Sequence, residues 1–581
     1  MRLSGLPWRT LGFVSALALA PMAATAQSVV KPGAGVLPPE QLNPAERTER
    51  AAAQRNEGDL FSAPPPGACP IGAADLKFAL KSVEFVGSNG VNTNELAPAY
   101  RSSIGRTISL AEVCEIRDKT AALLFRLGVL ARVEIPVQTI ADGHLKLEIT
   151  AAHIVSVQVK GDAGPAQAKV EDLIEHLRGM TPFDIRKAQR YLFLVSDLPG
   201  IRIQAALKPA AGGGPGAVDL IVTVSRKPVD AVVNVENYNS EALGSFGGLV
   251  RMDLNGFTAL GERTTLIGYT SFVFGEQYVL QGVEEVRLGG DGLIGRASFS
   301  YGDSKPGGDL KSIELDGESY VGNVGLTYPL IRTRRADLNL TGGMDYINQT
   351  TTVSNGASFL SRDRMTVVSV KVDGRQEWRP TWYLPAGQLS GAIEFRQGVD
   401  LFDASHAGAG NQLSRTDGQP QSGLVRADGR LDLQWAPLFY TRVAFAGQFT
   451  DRVLLAYEDF NVGNLTIGRG YDPAALTGDR GIGGSFEAHV GPFQYFPGQP
   501  TLRLPQNMNV SGFGFFDTAH VQNLEVGSQD RTVRSLGGGL TFQLASWLRL
   551  ETSYAHTLDT VSPNLSKRPG DRVFINLTAR Y

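Results

Sequence analysis

Val368-Ser-Val-Lys-Val-Asp373 sets three β-branched residues on one side of an extended chain and a hydroxyl, an ammonium and a carboxylate on the other. Successive side chains of a strand point to opposite faces, so this stretch predicts a strand with one apolar and one polar surface. The same texture runs from about residue 230 onward. Leu338 and Leu340 alternate with Asp337, Asn339 and Thr341; Leu431, Leu433 and Trp435 with Asp432 and Gln434; Val250, Met252 and Leu254 with Arg251 and Asp253; Leu548, Leu550 and Tyr554 with Arg549, Glu551 and Ser553. A soluble sandwich would turn such polar faces to bulk water. Against that, residues 227–581 show no helical period, and nearly every strand carries charge on one face. A transmembrane antiparallel β-barrel, with lipid outside and a hydrated lumen inside, explains both. Sixteen strands would leave roughly 22 residues for each strand and its connection, and fourteen or eighteen also divide acceptably.

Composition fits that reading and excludes several others. Charged residues are 19% of the 581 and glycines number 67, a balance that suits many strands and turns. Mean hydropathy is −0.08, too low for a bundle of membrane helices, whereas alternating strands average to about that value. The formal net charge of −3 leaves no basic footprint for nucleic acid. Two cysteines, Cys69 and Cys114, cannot build a disulfide scaffold or a four-cysteine zinc site. There is no phosphate-binding G-x-x-x-x-G-K-[ST] loop, no H-E-x-x-H pair among the seven histidines and no G-x-S-x-G elbow. The expectation is a protein that is not an enzyme, with no cofactor, no metal and no catalytic residues.

Residues 1–26 read as a secretory signal: Arg2 and Arg9, an apolar run from Leu11 to Ala20, and Ala24-Thr25-Ala26 before Gln27. Ten apolar residues fall short of the ~20 that span a bilayer. Export to an oxidising compartment allows Cys69 and Cys114 to pair, with two free thiols as the alternative. Residues 27–75 form a linker broken by Pro38-Pro39 and Pro64-Pro65-Pro66. Within it Asn43-Pro44 offers an N-cap and an N1 proline for a polar helix through Glu46, Arg50, Ala52 and Arg55. That helix has no apolar stripe, so it suits solvent or a wet cavity better than a core.

Two similar modules follow. In residues 76–152, a strand over residues 77–87 precedes a short helical pattern at 94–102. Ser109-Leu-Ala-Glu112 is a capping box for a helix with Val113, Ile116, Thr120, Leu123, Leu124 and Leu127 on one face, ended by Gly128. Two strands close the unit, one through Val133, Ile135 and Val137, the other through Leu145, Leu147 and Ile149 after the Asp142-Gly143 turn. Residues 153–226 repeat the order β-α-α-β-β: a strand at 154–159, helices at 170–177 and 185–195, a break at Leu198-Pro199-Gly200, and strands at 201–207 and 218–224.

Two such modules before a barrel resemble the paired POTRA domains of the Omp85 superfamily, specifically the two-partner secretion transporters of the haemolysin-activator type. The resemblance rests on Cys69-Pro-Ile, on Leu76 to Gly87, on Leu198-Pro199-Gly200 and the stretch to Val224, and on Asn237-Tyr-Asn-Ser240 through Gly244. Its most specific part is Ile467-Gly-Arg469-Gly470-Tyr471 followed by Thr477-Gly-Asp-Arg-Gly481. The final strand, with Val573, Ile575, Leu577, Ala579 and Tyr581 on one face, resembles the assembly signal of outer-membrane barrels, where phenylalanine is the commoner last residue.

The resemblance implies that Arg469, Gly470 and Tyr471 form the tip of a long loop folded back into the lumen. A guanidinium away from bulk water needs carboxylate or carbonyl partners. Strand parity supplies them: Met508, Val510 and Phe516 share one face, which turns Phe515 and Asp517 inward, and Phe486, Ala488 and Val490 face out, which turns Glu487 and His489 inward. Arg469 is expected to pair mainly with Asp517 and also with Glu487.

The function so implied is a pore in the outer membrane of a Gram-negative bacterium, with both modules in the periplasm. It would capture an unfolded exoprotein, adhesin or haemolysin-like, at a module strand edge and export it without ATP. The polar helix at 43–57 would plug the resting lumen. Outer-membrane lipid and the barrel-assembly machinery are the other partners. The rivals are an insertase of the same superfamily and, in a different class, a passive porin.

Overall fold

The computed structural model describes residues 35–45, 69, 77–87, 92–140, 142–178, 180, 183–354, 356–408, 412–494, 508–561 and 570–581. The signal sequence, most of the 27–75 linker and residues 46–57 of the expected polar helix lie outside the described residues.

Sixteen antiparallel strands close into one barrel. It runs from Val229–Glu236 and Gly247–Asn255 through the tall strands Ala336–Val353 and Ser358–Trp378 to Arg572–Arg580. The last strand returns to the first, from Asn576 against Glu236 to Arg580 against Val232, so no strand edge of the wall is left open. The parity read from the sequence holds. Val368, Val370 and Val372 are exposed on the outer face, as are Val250, Met252, Val573, Ile575 and Leu577. Charges point inward and meet partners there: Arg251 with Asp253 at 3.0 Å, Arg287 with Glu285 at 2.7 Å, Arg396 with Asp345 at 2.8 Å. Such pairing is what permits ionised groups in a confined lumen.

Each module is a three-stranded sheet whose central strand comes last in the chain. Ser82–Val86 lies parallel to His144–Ala151, which pairs antiparallel with Ala131–Glu134. His153–Gly161 lies parallel to Ala217–Arg226, which pairs antiparallel with Ile201–Pro209. The capping box forms, with Ser109 N donating to Glu112 Oε2 at 2.7 Å and Glu112 N to Ser109 Oγ at 3.3 Å, and opens the helix Leu110–Arg126. In the second module the helices are Gln167–Glu175 and Ile185–Ser196.

The first module departs from expectation in three places. Its first strand is broken into Lys77–Ala79 and Ser82–Val86, because Lys77–Ala79 leaves the sheet to pair with Thr107–Ser109. The pattern at 94–102 forms two 3₁₀ segments, Thr93–Ala99 and Arg101–Ser103; Pro98 lies inside the first and cannot donate a helical hydrogen bond. The strand through Val133 stops at Glu134, since Pro136 removes a ladder donor, and Val137 projects into solvent.

The second module is fixed to one side of the barrel rim. Arg332, 5% exposed at its side chain, makes a two-pronged contact with Asp197: Nε to Oδ2 at 2.6 Å and Nη2 to Oδ1 at 2.8 Å. Its guanidinium carbon also lies 5.0 Å from the centre of the Phe193 ring. Arg287 Nη2 donates to Asp197 O at 2.9 Å, and Lys169 Nζ to Gly289 O at 2.6 Å. Arg332→Ala leaves Asp197 without its fork and is expected to weaken this docking by about 2–3 kcal/mol. Hydrogen exchange should rise over residues 185–196 while the barrel strands stay protected; unchanged exchange would contradict the clamp.

Candidate functional site

Two segments fill the lumen. From the side opposite the modules, the connection between the strands Phe439–Thr450 and Arg480–Gln494 folds inward and is stiffened by a short hairpin, Phe460–Val462 against Leu476–Gly478. At its tip Gly468 and Gly470 have φ of 116° and 97°, a left-handed conformation that glycine adopts without strain. A Cβ on Gly470 would also press on Thr557 Cγ2 at 3.0 Å.

Between the two glycines, Arg469 meets a preformed acceptor set. Ser485 pairs with Asp517 and Glu487 with Phe515 across the neighbouring strands, so all four side chains share one patch of inner wall. Arg469 Nε donates to Asp517 Oδ2 at 2.9 Å, Nη2 to Asp517 Oδ1 at 2.6 Å, Nη1 to Glu487 Oε1 at 2.6 Å and Nη2 to Ser485 Oγ at 2.7 Å. Its backbone N–H also donates to Asp517 Oδ2 at 3.0 Å. The guanidinium carbon lies over Phe515, 3.8 Å from the ring centre. Tyr471, 1% exposed, packs among Val462, Leu476, Ala519, Val521 and Val533. Its hydroxyl donates to Arg534 O at 2.9 Å or to Asp559 O at 3.0 Å and accepts from Asp559 N at 3.2 Å.

Thus the structure brings together Arg469, Gly470, Tyr471, Asp517, Phe515 and Glu487. Cys69 and Cys114 form a disulfide with Cα atoms 5.9 Å apart, tying the linker to the first module's long helix, remote from this patch. Sequence reasoning missed Ser485, an inward position two residues before Glu487, and the wall charges that extend the network. Glu487 also accepts from Arg442 at 3.3 Å and contacts His489 at 2.7 Å, and Arg442 reaches Asp432 at 2.7 Å.

Sequence reasoning also missed the work of the trailing Gly-Asp-Arg-Gly. Asp479 is fully buried and fastens three connections: it accepts from Arg415 at 2.7 and 3.1 Å, from Leu454 N at 2.6 Å and from Leu524 N at 2.7 Å. Arg415 is shared with Asp459 at 2.9 Å and, more distantly, with Glu525 at 3.7 Å. Burial pushes the Asp459 carboxyl up to about 7, with Arg415 opposing and Asp479 and Asp363 adding to the rise.

Residues 35–45 lie inside the lumen toward the same end as the Arg469 loop, with Ser304 Oγ donating to Gly35 O and Leu42 against Gly302. Leu37, Leu42 and Ala45 are buried against Leu249, Ile267, Tyr269, Val279 and Val283 of the inner wall. Polar contacts surround this anchor: Gln349 Nε2 to Leu37 O at 3.0 Å, Gln41 Nε2 to Asn239 Oδ1 at 2.9 Å, Ala45 N to Gln281 Oε1 at 2.9 Å and Asn461 Nδ2 to Glu40 at 3.2 Å. Asn461 belongs to the inward-folded loop, so the two fillings touch. The expected polar plug helix at 43–57 lies outside the described residues beyond Ala45, and the anchor that is described, Leu37 and Leu42, precedes it and is apolar. Its signal lay in the inward positions Leu249, Ile267, Val279 and Val283, which break the polar-inside pattern.

Residues 217–542 match the family described as haemolysin secretion/activation protein ShlB/FhaC/HecB, and residues 78–151 match the POTRA domain of ShlB type. The chain belongs to this haemolysin secretion/activation family. Among characterised relatives, the heme/hemopexin transporter protein HuxB of Haemophilus influenzae is 22% identical over 530 residues, covering 85% of this chain and 86% of that protein. Among solved structures, CdiB from Escherichia coli superposes with a TM-score of 0.72 at 14% identity, over 94% of this chain and all of that one. CdiB from Acinetobacter baumannii gives 0.63 at 14% identity, over 93% and 97%. BamA from Haemophilus ducreyi lacking POTRA domains 1–3 gives 0.50 at 13% identity, over 87% and 100%. These likenesses establish the shared barrel fold.

Two outcomes check the geometry. Arg469→Lys replaces a flat five-donor fork by a single ammonium that cannot serve Asp517, Glu487 and Ser485 together. It should release the tip, seen as faster proteolysis within 463–479, and an unchanged rate would contradict the assignment. Asp459 has its folded pKa raised above the unfolded value of about 3.9, so its contribution to loop closure is full below that pH and is lost as pH rises through about 7. Protection over 451–461, exchange taken relative to the intrinsic rate at each pH, should therefore fall from pH 5 to pH 8, and Asp459→Asn should flatten that dependence.

Proposed function

We propose how the described parts of this chain, a two-partner secretion transporter with a secreted exoprotein as partner, perform export. The two POTRA modules stand in the periplasm, and an unfolded adhesin or haemolysin-like partner adds a strand to one of their open sheet edges. The outer strands Ser82–Val86 and Ala131–Glu134 in one module, and His153–Gly161 and Ile201–Pro209 in the other, each have one side unpaired within their own sheet.

The single observation that carries the mechanism is the double filling of the lumen. Residues 35–45 and the Arg469 loop tip occupy the space a passing chain would need. Export therefore requires the N-terminal segment to withdraw, while the loop tip, held by a charged fork to two adjacent strands, forms the wall against which the partner slides. No chemical step is assigned to any residue, and the chain works as a conduit and not as an enzyme. Folding of the partner outside the cell draws it through, since no nucleotide-binding loop is present in the sequence. The apolar outer wall contacts lipid, and the barrel-assembly machinery inserts it. A filled lumen supports this reading over a passive porin.

Burying two leucine side chains contributes about 3–6 kcal/mol, which makes Leu37 and Leu42 the main hold on the segment. Leu37→Asp with Leu42→Asp should raise single-channel conductance in planar bilayers toward that of a chain lacking residues 27–70. Equal conductance in all three proteins would reject the plug. Arg469→Ala should abolish export with the barrel still folded, and normal export would reject the role of the loop tip.

A further inference from the structure

Tyr440, His489 and Phe513 stand opposite one another on three neighbouring strands, Tyr440 against His489 and His489 against Phe513. All share the inward face with Arg442 and Glu487, while Phe439, Val443 and Phe516 are exposed on the outer wall. Their rings stand in line. Tyr440 lies 4.3 Å from His489 at 6°, His489 5.4 Å from Phe513 at 25°, and Phe513 6.4 Å from Phe515 at 31°. Phe515 in turn lies under the Arg469 guanidinium.

The next strand makes room for this row. Gly539 faces Phe513 and Gly537 faces Phe515, and a Cβ on either glycine would come within 2.7 Å of the ring's Cζ. The Gly537-Gly538-Gly539 run thus lets both rings lie against the wall. His489 contacts Glu487 at 2.7 Å, the carboxylate that also holds Arg469. The four rings and the loop tip therefore form one connected patch.

The row has a direction. Counting from Val229–Glu236, which follows the second module directly, Phe439–Thr450 is the eleventh strand of the antiparallel ring, so both start at the same rim. Tyr440 is its second residue, and the row therefore runs from that rim to the loop tip. None of the contacts described above for residues 35–45 involves these strands. A line of rings is tolerant of sequence, because it accepts any flat or apolar side chain, and each contact is weak enough to release. The 6.4 Å from Phe513 to Phe515 is close to the ~6.8 Å between same-side side chains of an extended strand. We propose that Tyr440, His489, Phe513 and Phe515 form a slide for the exported polypeptide, taking aromatic and aliphatic side chains of its extended chain from the module-side rim to the loop tip. This rests on the reading that export passes through the lumen.

The test uses the mature full-length chain carrying Leu37→Asp and Leu42→Asp in planar bilayers. A Gly-Ser peptide with Phe-Ser-Phe triplets, or its counterpart with serine for every phenylalanine, is added on the module side. Current blockades by the phenylalanine peptide should last about fivefold longer, the gain expected of one aromatic contact. Tyr440→Ser with Phe513→Ser should abolish the difference, and Tyr440→Phe with Phe513→Tyr should keep it. Should the serine pair fail to insert, Tyr440→Ser alone is read by the same comparison. Equal blockades by the two peptides overturn the slide and leave the route through the lumen standing. A difference that survives loss of the rings overturns it as well. So does one that emerges only in a chain lacking residues 27–70, because the rings then seat this chain's own linker. Absence of any blockade rejects the lumen as the route, and the slide with it.

Discussion

A strand surrounded by hydrocarbon must hydrogen-bond along both of its edges, because no water is there to satisfy an open N–H or C=O. Everything else in this molecule follows from meeting that requirement by closure. Sixteen strands complete the ring when the final strand reaches the first, and the ring then has two unlike surfaces. The outer one can be apolar throughout. The inner one encloses a space too wide for the wall's own side chains to fill, which leaves room for water or for other parts of the chain.

Two segments of the chain take that room, with opposite physical chemistry. The loop tip is held by charge: one guanidinium meets Asp517, Glu487 and Ser485, over the face of Phe515. An ion pair of this geometry is strong but specific, since loss of one partner leaves a buried charge behind. The N-terminal segment is held mainly by Leu37 and Leu42 in an apolar patch, with hydrogen bonds that a passing polypeptide or water could replace. An oily anchor on a short segment can be withdrawn without stranding an ion. The contrast supports the roles proposed for the two fillings, one fixed and one removable.

How much of this was legible in the sequence depended on range. Period-two alternation is local, so the outward set of Val368, Val370 and Val372 and the inward set of Phe515, Asp517 and Glu487 could be read directly. Arg469 stood out through its glycine neighbours, and its carboxylate partners through parity. Ser485 was hidden because a serine on a strand carries no signal until register sets it beside Asp517. Asp479 was hidden because its partners, Arg415 and the backbone of Leu454 and Leu524, come from three separate connections. The apolar anchor carries no local signal, because Leu37 and Leu42 stand among prolines and polar residues. Only the barrel's closure gathers Leu249, Ile267 and Val279 around them. The docking of the second module through Arg332 and Asp197, likewise, depends on a pairing 135 residues apart.

In the proposed mechanism, export passes through the space residues 35–45 occupy at rest. Leu42 lies directly against Gly302 of the inner wall. A chain carrying Leu42→Cys and Gly302→Cys can therefore be locked by oxidation and released by mild reduction, with the natural chain treated identically to control for Cys69–Cys114. Export of the partner should stop in the oxidised double variant and return on reduction. Undiminished export with the cross-link demonstrably formed would contradict the claim.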